Sequence, residues 1–210
     1  MVEEQSKDFL EARPWLSGIC DTQSTEELKN KYDGWAKTYD TDVRKDWFFM
    51  PGNIAITLSQ LLPHKETAIL DAGAGTGLVG EALAQQGYTN ITAVDLSEKM
   101  LAIAKEREVY KALHHCNLED SQNFNNSVTF DAIIAAGVFA YAHAGVKVLN
   151  NLFGLLREDG IFLLTIREDY RREMQIALDK LPWTLVSEEN FTIYDEAKLM
   201  YLLGFKREGY

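Results

Sequence analysis

Apolar and polar positions fall along this chain in blocks whose period switches repeatedly between that of a helix and that of a strand. Leu28, Tyr32, Trp35 and Tyr39 recur at spacings of four, three and four. Ser24 or Thr25 stands before them as an N-cap, with Glu26 and Glu27 in the first turn, so the pattern predicts an amphipathic helix with an aromatic stripe. Upstream, residues 1–23 carry apolar positions (Phe9, Leu10, Trp15, Leu16, Ile19) without a clean period, which reads as an arm or short helix packed on the domain. Pro51 and Gly52 precede a helical pattern over 54–62 that ends at Pro63. The rhythm then becomes regular. Strands are predicted over 67–71, 91–95, 112–116, 129–136 and 161–166, the fourth almost uniformly apolar as a strand buried on both faces should be. Between them lie helices over 78–86, closed by Gly87, over 97–110, capped by Ser97, and over 146–157, before a turn at Asp159-Gly160.

This alternation predicts an α/β fold with a mostly parallel sheet covered by helices on both faces. The last part breaks it. A helix over 169–181 leads to two strand-like runs, 183–187 and 198–207, with too little chain between them for a crossover helix, so an antiparallel pair at one edge of the sheet is expected. At 210 residues and 46% hydrophobic content the chain suits one domain with a full core.

Charge narrows the choice of partner. A formal net charge of -11 repels phosphate backbones and anionic lipid, and the basic pairs Arg44-Lys45 and Arg171-Arg172 are flanked by acids, so no nucleic-acid partner is expected. Cys20 and Cys116 belong to no metal-ligand spacing, which suits a reducing compartment and a site without metal. No apolar run has the length of a membrane span, and Glu3, Glu4 and Asp8 do not suit a signal peptide. The expectation is a soluble, cytoplasmic protein with no membrane partner.

The stretch Ile69-Leu70-Asp71-Ala72-Gly73-Ala74-Gly75-Thr76-Gly77 reads as strand, tight loop and helix start. Its glycines permit positive φ and close approach of a ligand, and the next helix offers free N–H groups in its first turn. A dinucleotide loop has the pattern Gly-x-Gly-x-x-Gly. The frame from Gly73 fails at Leu78, whereas the frame Gly75, Gly77, Gly80 survives on spelling but starts late after the strand and leaves Asp71 without a role. Asp95, at the end of the second strand, can accept both ribose hydroxyls of an adenosine. Met100 is placed to pack on an adenine face or in the core, and Asn117, after the third strand, to pair with the adenine amino group or to cap the next turn. Ligands in open α/β sheets bind along this carboxyl edge.

Taken together, Asp71-Ala-Gly-Ala-Gly-Thr-Gly77, Val94-Asp95-Leu96-Ser97-x-x-Met100-Leu101 and Phe130-Asp131-Ala132-Ile133-Ile134 resemble the successive motifs of class I S-adenosylmethionine-dependent methyltransferases. Tyr32-Asp-Gly-Trp-Ala-Lys-Thr-Tyr-Asp40 is similar to a segment that precedes the fold in several small-molecule methyltransferases. The resemblance implies a seven-stranded Rossmann-like sheet, a domain over 46–210 with an N-terminal arm and lid helix over 1–45, and S-adenosylmethionine as cofactor. It implies that Gly73, Ala74 and Gly75 pass beside the methionine moiety, that Asp71 orders the loop or binds the amino group through water, and that Asp95 holds the ribose. Leu96 and Met100 would sandwich the adenine, Asn117 and Leu118 would read its edge, Ala136 would offer a backbone carbonyl near the amino group, and Tyr39 would close over the ligand. Asn117 stands where many members have Asp.

The acceptor is left unsigned: the run after the fourth strand lacks the Asn-Pro-Pro-Tyr of base amino-group methylation, and neither cysteine follows a proline. His143, with Tyr141 beside it, is the candidate general base near the mouth. A small, partly apolar acceptor is expected, methylated by in-line transfer. The alternatives are a catalytically silent S-adenosylmethionine-binding module acting as sensor or partner subunit and, third, a nicotinamide dehydrogenase.

Overall fold

The computed structural model describes residues 19, 22, 24–120, 128–139, 144–193 and 198–209. Three helices come first, α1 (Thr25–Trp35), α2 (Tyr39–Trp47) and α3 (Met50–Leu61). The alternating part follows as β1 (Ile69–Ala72), α4 (Leu78–Gln85), β2 (Ile91–Asp95), α5 (Glu98–Glu106), β3 (Ala112–His115), β4 (Phe130–Phe139), α6 (Val146–Gly154), β5 (Leu156–Arg167) and α7 (Glu168–Lys180). Two strands close the chain, β6 (Trp183–Ile193) and β7 (Lys198–Arg207).

All seven strands form one sheet in the order β3-β2-β1-β4-β5-β7-β6. Pairing is parallel from β3 through β5. β7 runs antiparallel to both β5 and β6, so the expected C-terminal hairpin is present, with its second strand inserted beside β5 and its first at the sheet edge. The centre of the sheet reads as continuous apolar sequence because both faces are covered: Ile133, Ile134, Phe162 and Leu163 are all fully buried. One face packs on α6 and α7 through Val148, Leu149, Leu152, Met174 and Leu178. The other packs on α3 and α4 through Ile54, Leu58, Val79 and Leu83.

Several boundaries differ from the sequence expectation, each for a local reason. The aromatic stripe from Leu28 to Tyr39 does not lie on one helix. α1 stops at Trp35, a turn closes through the bond from Thr38 N–H to the Trp35 carbonyl, and Tyr39 opens α2. The indole N–H of Trp35 donates to Asp42 Oδ2 across this break at 2.9 Å, and the rings of Trp35 and Tyr39 meet edge-on at 4.5 Å. α3 begins at Met50 because Pro51 is accommodated in a first turn, where its missing N–H costs nothing. α5 ends at Glu106, with Glu108 at φ 56°, and releases Arg107 and Tyr110 for bonds to other elements. α6 ends at Gly154 and β5 starts at Leu156. The expected turn at Asp159 (φ 60°) lies inside that strand, where the register jumps from Phe130 opposite Leu156 to Ala132 opposite Ile161. Of the N-terminal arm, only Ile19 and Thr22 are among the described residues; Ile19 is buried.

Candidate functional site

In the sheet order, β1 is the point where the chain reverses direction across the sheet, with β2 on one side and β4 on the other. A crevice at the carboxyl ends of the strands is expected at such a point. It is built first by the loop after β1. Gly73 and Ala74 N–H both donate to the Val94 carbonyl, at 2.8 and 3.0 Å, which folds the loop back over β2. Gly73, Gly75 and Gly77 have φ of 72°, 56° and 87°, the left-handed region that an L side chain rarely adopts. A Cβ on Gly73 would stand 2.5 Å from Val138 Cγ2, whereas a Cβ on Gly75 would meet nothing within 4 Å and would fill open space in the crevice. The loop is thus a bare backbone cradle.

Asp95 ends β2 with its carboxylate held on both oxygens: Gly75 N–H donates to Oδ2 and Ser97 N–H to Oδ1, each at 2.8 Å. Burial raises its carboxyl above the ordinary value, opposed by the N–H donors of Ser97, Gly75 and Leu96 and by nearby His115. Each carboxylate oxygen retains a lone-pair direction for a ligand hydroxyl. After β3, a turn closes by Asp120 N–H to the Asn117 carbonyl, and Glu119 N–H donates to Asn117 Oδ1 at 2.9 Å. Asn151 Nδ2 fixes the Leu118 carbonyl at 2.9 Å. β4 supplies the far wall: the ladder with β5 shifts between Ala135 and Phe139, Gly137 takes φ 72°, and its N–H donates to the buried hydroxyl of Thr165.

These ends enclose a cavity of about 140 Å³. Its floor comes from Gly73, Gly75, Asp95, Leu96, Met100, Asn117, Leu118 and Ala136, and its roof from Thr25, Leu28 and Tyr32 of α1 with Tyr39 of α2. A smaller cavity of about 60 Å³ shares Tyr39, Gly73, Gly75, Ala136 and Gly137 with it and continues between Val43, Met50, Pro51, Leu78 and Val79.

Two aspartates fasten the roof. Asp33 accepts from the hydroxyl of Ser97 and, at 3.4 Å, from Lys99 N–H at the start of α5, and Lys29 pairs with its other oxygen at 2.8 Å. Desolvation raises the Asp33 carboxyl, but the bonds from Lys29, Ser97 and Lys99 outweigh it and hold the group below its ordinary value. Asp40 accepts from the Thr76 hydroxyl and from Arg107. Arg107 also donates through Nε to the Thr76 carbonyl at 2.6 Å and through its other amino nitrogen to Glu81 at 2.7 Å. One aspartate therefore ties the roof to the Asp95 side of the floor, and the other ties it to the glycine loop.

Nine of the eleven residues expected around the cofactor line the larger cavity: Tyr39, Gly73, Gly75, Asp95, Leu96, Met100, Asn117, Leu118 and Ala136. Ala74 faces the smaller cavity instead. Asp71 lines neither. It is 1% exposed, accepts the Tyr110 hydroxyl at 2.7 Å, and sits beneath the loop. Burial raises its carboxyl to about 7, with charge on Asp95 adding to the rise and bonds from Tyr110 and Gly80 N–H opposing it. His143 and Tyr141 lie outside the described residues. Glu119 lines the cavity without having been singled out in the sequence, and neither were the clasps. The repeated pair Tyr32-Asp33 and Tyr39-Asp40 was the available signal for the clasps. Among the described residues no helix is long and apolar enough to cross a membrane, and no cluster of His, Cys, Asp or Glu is suited to a metal.

Comparison with known proteins agrees with this geometry. Residues 70–164 match the model of a methyltransferase domain family. Human methyltransferase-like protein 27 is 27% identical over 188 residues, which cover 86% of this chain and 76% of that protein. A malonyl-[acyl-carrier protein] O-methyltransferase of Bacillus cereus is 35% identical over 147 residues, 66% of this chain; the matched part spans only 51% of that relative's length. Among solved structures, 1,6-didemethyltoxoflavin-N1-methyltransferase of Burkholderia thailandensis, with bound 1,6-didemethyltoxoflavin and S-adenosylhomocysteine, gives a TM-score of 0.63 at 16% identity, over 87% of this chain and 88% of the other. The fold is the Rossmann-like fold of class I methyltransferases. The family model and both sequence relatives are those of methyltransferases, which is what the chain is similar to.

Proposed function

We propose that this protein is an S-adenosylmethionine-dependent methyltransferase acting on a small-molecule acceptor. The observation that carries the reading is the Asp95 carboxylate, held by two backbone N–H groups at the end of β2 and lining the same cavity as the side-chain-free loop at Gly73 and Gly75. That pairing suits a ligand with a vicinal diol at one place and a compact polar chain beside it. S-adenosylmethionine, when bound, supplies a methyl group on a sulfonium that leaves by in-line displacement.

This chain's part is to bind, orient and exclude water. Asp95 accepts the ribose hydroxyls, and Leu96 and Met100 cover the base. Gly73 and Gly75 let backbone stand where side chains would collide, Ala136 offers its carbonyl, and Ala74 flanks the loop from the second cavity. Asp71 acts from below, ordering the loop through Tyr110 and Gly80. Tyr39 and Tyr32 close the roof with ring faces that favour a cation. Tyr141 and His143, which follow β4 in sequence, are proposed to face the acceptor, with His143 as the base where the acceptor needs one. The smaller cavity, walled by Val43, Met50, Pro51, Leu78 and Val79, supports an acceptor that is small and partly apolar. The Ala104-x-x-Arg107-x-x-Tyr110 and Cys116-Asn-Leu motifs resemble the methyltransferase-like protein of the Williams-Beuren syndrome region. The 27% identity to human methyltransferase-like protein 27 supports kinship at that level.

Calorimetry tests the reading. S-adenosylhomocysteine should bind the wild type in the micromolar range, and Asp95→Ala, which removes two charge-assisted bonds, should weaken it by roughly 100-fold or more. Absence of binding to the wild type overturns the proposal, and transfer of a labelled methyl group to any small acceptor excludes a catalytically silent module.

A further inference from the structure

The turn after β3 shows an arrangement of donors and acceptors from which the recognition of the base can be read. Asn117 and Leu118 line the cavity next to Leu96 and Met100, at the end of the sheet beyond Asp95, where a base attached to the ribose must lie. The turn bond from Glu119 N–H engages Asn117 Oδ1 at 2.9 Å. That bond takes one of the two lone pairs of Asn117 Oδ1 and fixes the amide, whose Nδ2 carries two donors and no acceptor. Leu118 N–H donates to none of the described residues, while its carbonyl is pinned by Asn151 Nδ2 at 2.9 Å, so this peptide offers a fixed donor. Nδ2 and Leu118 N–H cannot receive the exocyclic amino group of adenine, which is itself a donor, and the acceptor that Asn117 keeps is the second lone pair of an oxygen already engaged in its own turn. Glu119 lines the same wall, and its carboxylate makes no hydrogen bond or ion pair with any described residue.

We propose that Glu119 is the specificity-determining residue for the purine: its carboxylate accepts the 6-amino group, while Leu118 N–H donates to the ring nitrogen beside it. The proposal rests on the methyl-donor reading above. It predicts that the protein prefers a 6-amino over a 6-oxo purine. Inosine places an oxygen against the carboxylate and a protonated ring nitrogen against Leu118 N–H, which is acceptor against acceptor and donor against donor. Asn117, on this account, shapes the turn and does not select the base.

Titration calorimetry of the full chain with S-adenosylhomocysteine and with its 6-oxo counterpart, S-inosylhomocysteine, tests this on wild type, Glu119→Gln, Glu119→Ala and Asn117→Ala, with thermal unfolding of each variant to confirm that it folds. The wild type should favour the adenosyl ligand by at least about 10-fold, the scale of one charge-assisted hydrogen bond. Glu119→Gln should collapse that ratio, because an amide can turn its donor toward a 6-oxo group, and should gain affinity for the inosyl ligand as it loses affinity for the adenosyl one. Glu119→Ala should lower adenosyl affinity without that gain. Asn117→Ala should keep the ratio. An unchanged ratio in both Glu119 variants, or a ratio that collapses in Asn117→Ala instead, overturns the assignment. Binding of neither ligand to the wild type overturns the methyl-donor reading itself, so the two failures are distinct.

Discussion

Asp71 offers the most quantitative check on how the glycine loop is held. Its carboxyl is 1% exposed, and burial raises it to about 7. In the unfolded chain an aspartate titrates near about 3.9, and each unit of difference is worth about 1.36 kcal/mol. A group whose native pKa lies above its unfolded value contributes its full stability below the unfolded pKa and loses it as pH rises through the native one. From about pH 4 to 7, Asp71 should therefore cost the native state up to roughly 4 kcal/mol, with little further change above that. Asp71→Asn keeps the shape, still accepts the Tyr110 hydroxyl through Oδ1, and does not titrate. The unfolding free energy of the variant minus that of the wild type should climb with pH across this window and then level off. The charge on Asp95 adds to the rise at Asp71, and this repulsion is part of the difference that Asp71→Asn removes. Guanidinium unfolding from about pH 4.5 to 8.5 measures the difference. A difference that stays flat across this window would refute the buried, titrating Asp71.

Two further substitutions probe the roof and the cradle. Asp40→Ala removes the acceptor shared by Thr76 and Arg107; with Asp40 31% exposed and Arg107 12% exposed, the loss of stability should be about 1 kcal/mol. Dissociation of S-adenosylhomocysteine, followed by stopped flow, should nonetheless accelerate by roughly 10-fold, since the clasp acts on the closed roof, and an unchanged rate would show that the roof does not retain ligand. Gly73→Ala places a methyl group at φ 72° and 2.5 Å from Val138 Cγ2. Left-handed strain costs about 1–2 kcal/mol at either position, and at 73 the Val138 contact adds to it. Gly73→Ala should therefore unfold several degrees below the wild type and below Gly75→Ala, which bears the strain alone and, with its methyl group in the open cavity, should lose ligand affinity as well.

The parts of this structure that were readable from sequence are those whose cause is local. β4 and β5 announce themselves because burial on both faces leaves no polar position to interrupt them, and Ser24 and Ser97 mark helix starts because a hydroxyl is needed there to accept from Glu27 and Met100 N–H. The carboxyl-edge residues Asp95, Met100 and Asn117 were also legible, since strand order confines them to one side of the sheet. What escaped depends on distant partners. The helical period from Leu28 to Tyr39 continues unbroken through residues 36–38, and the break is set by Asp42 reaching Trp35 and by Asp40 reaching Thr76 and Arg107. Glu119 escaped for a similar reason: that it lines the cavity, with its own N–H donating to Asn117 Oδ1, is set by the turn and not by its neighbours in sequence.

The second glycine frame shows how spelling and physical cause separate. Gly75, Gly77 and Gly80 satisfy the dinucleotide spacing, and sequence alone could set them aside only by their late start and by the role they deny Asp71. Each glycine proves to be required by something different. Gly75 clears the cavity and donates to Asp95, and Gly77 takes φ 87° to begin α4. Gly80 lies inside the first turn of α4, away from the cavity lining, where a Cβ would collide with the Tyr110 ring. That ring must come so close because its hydroxyl reaches the buried Asp71. The third glycine therefore serves the carboxylate beneath the loop and not a pyrophosphate above it. The acidic residue that a dinucleotide loop leaves without a role is the one that accounts for Gly80.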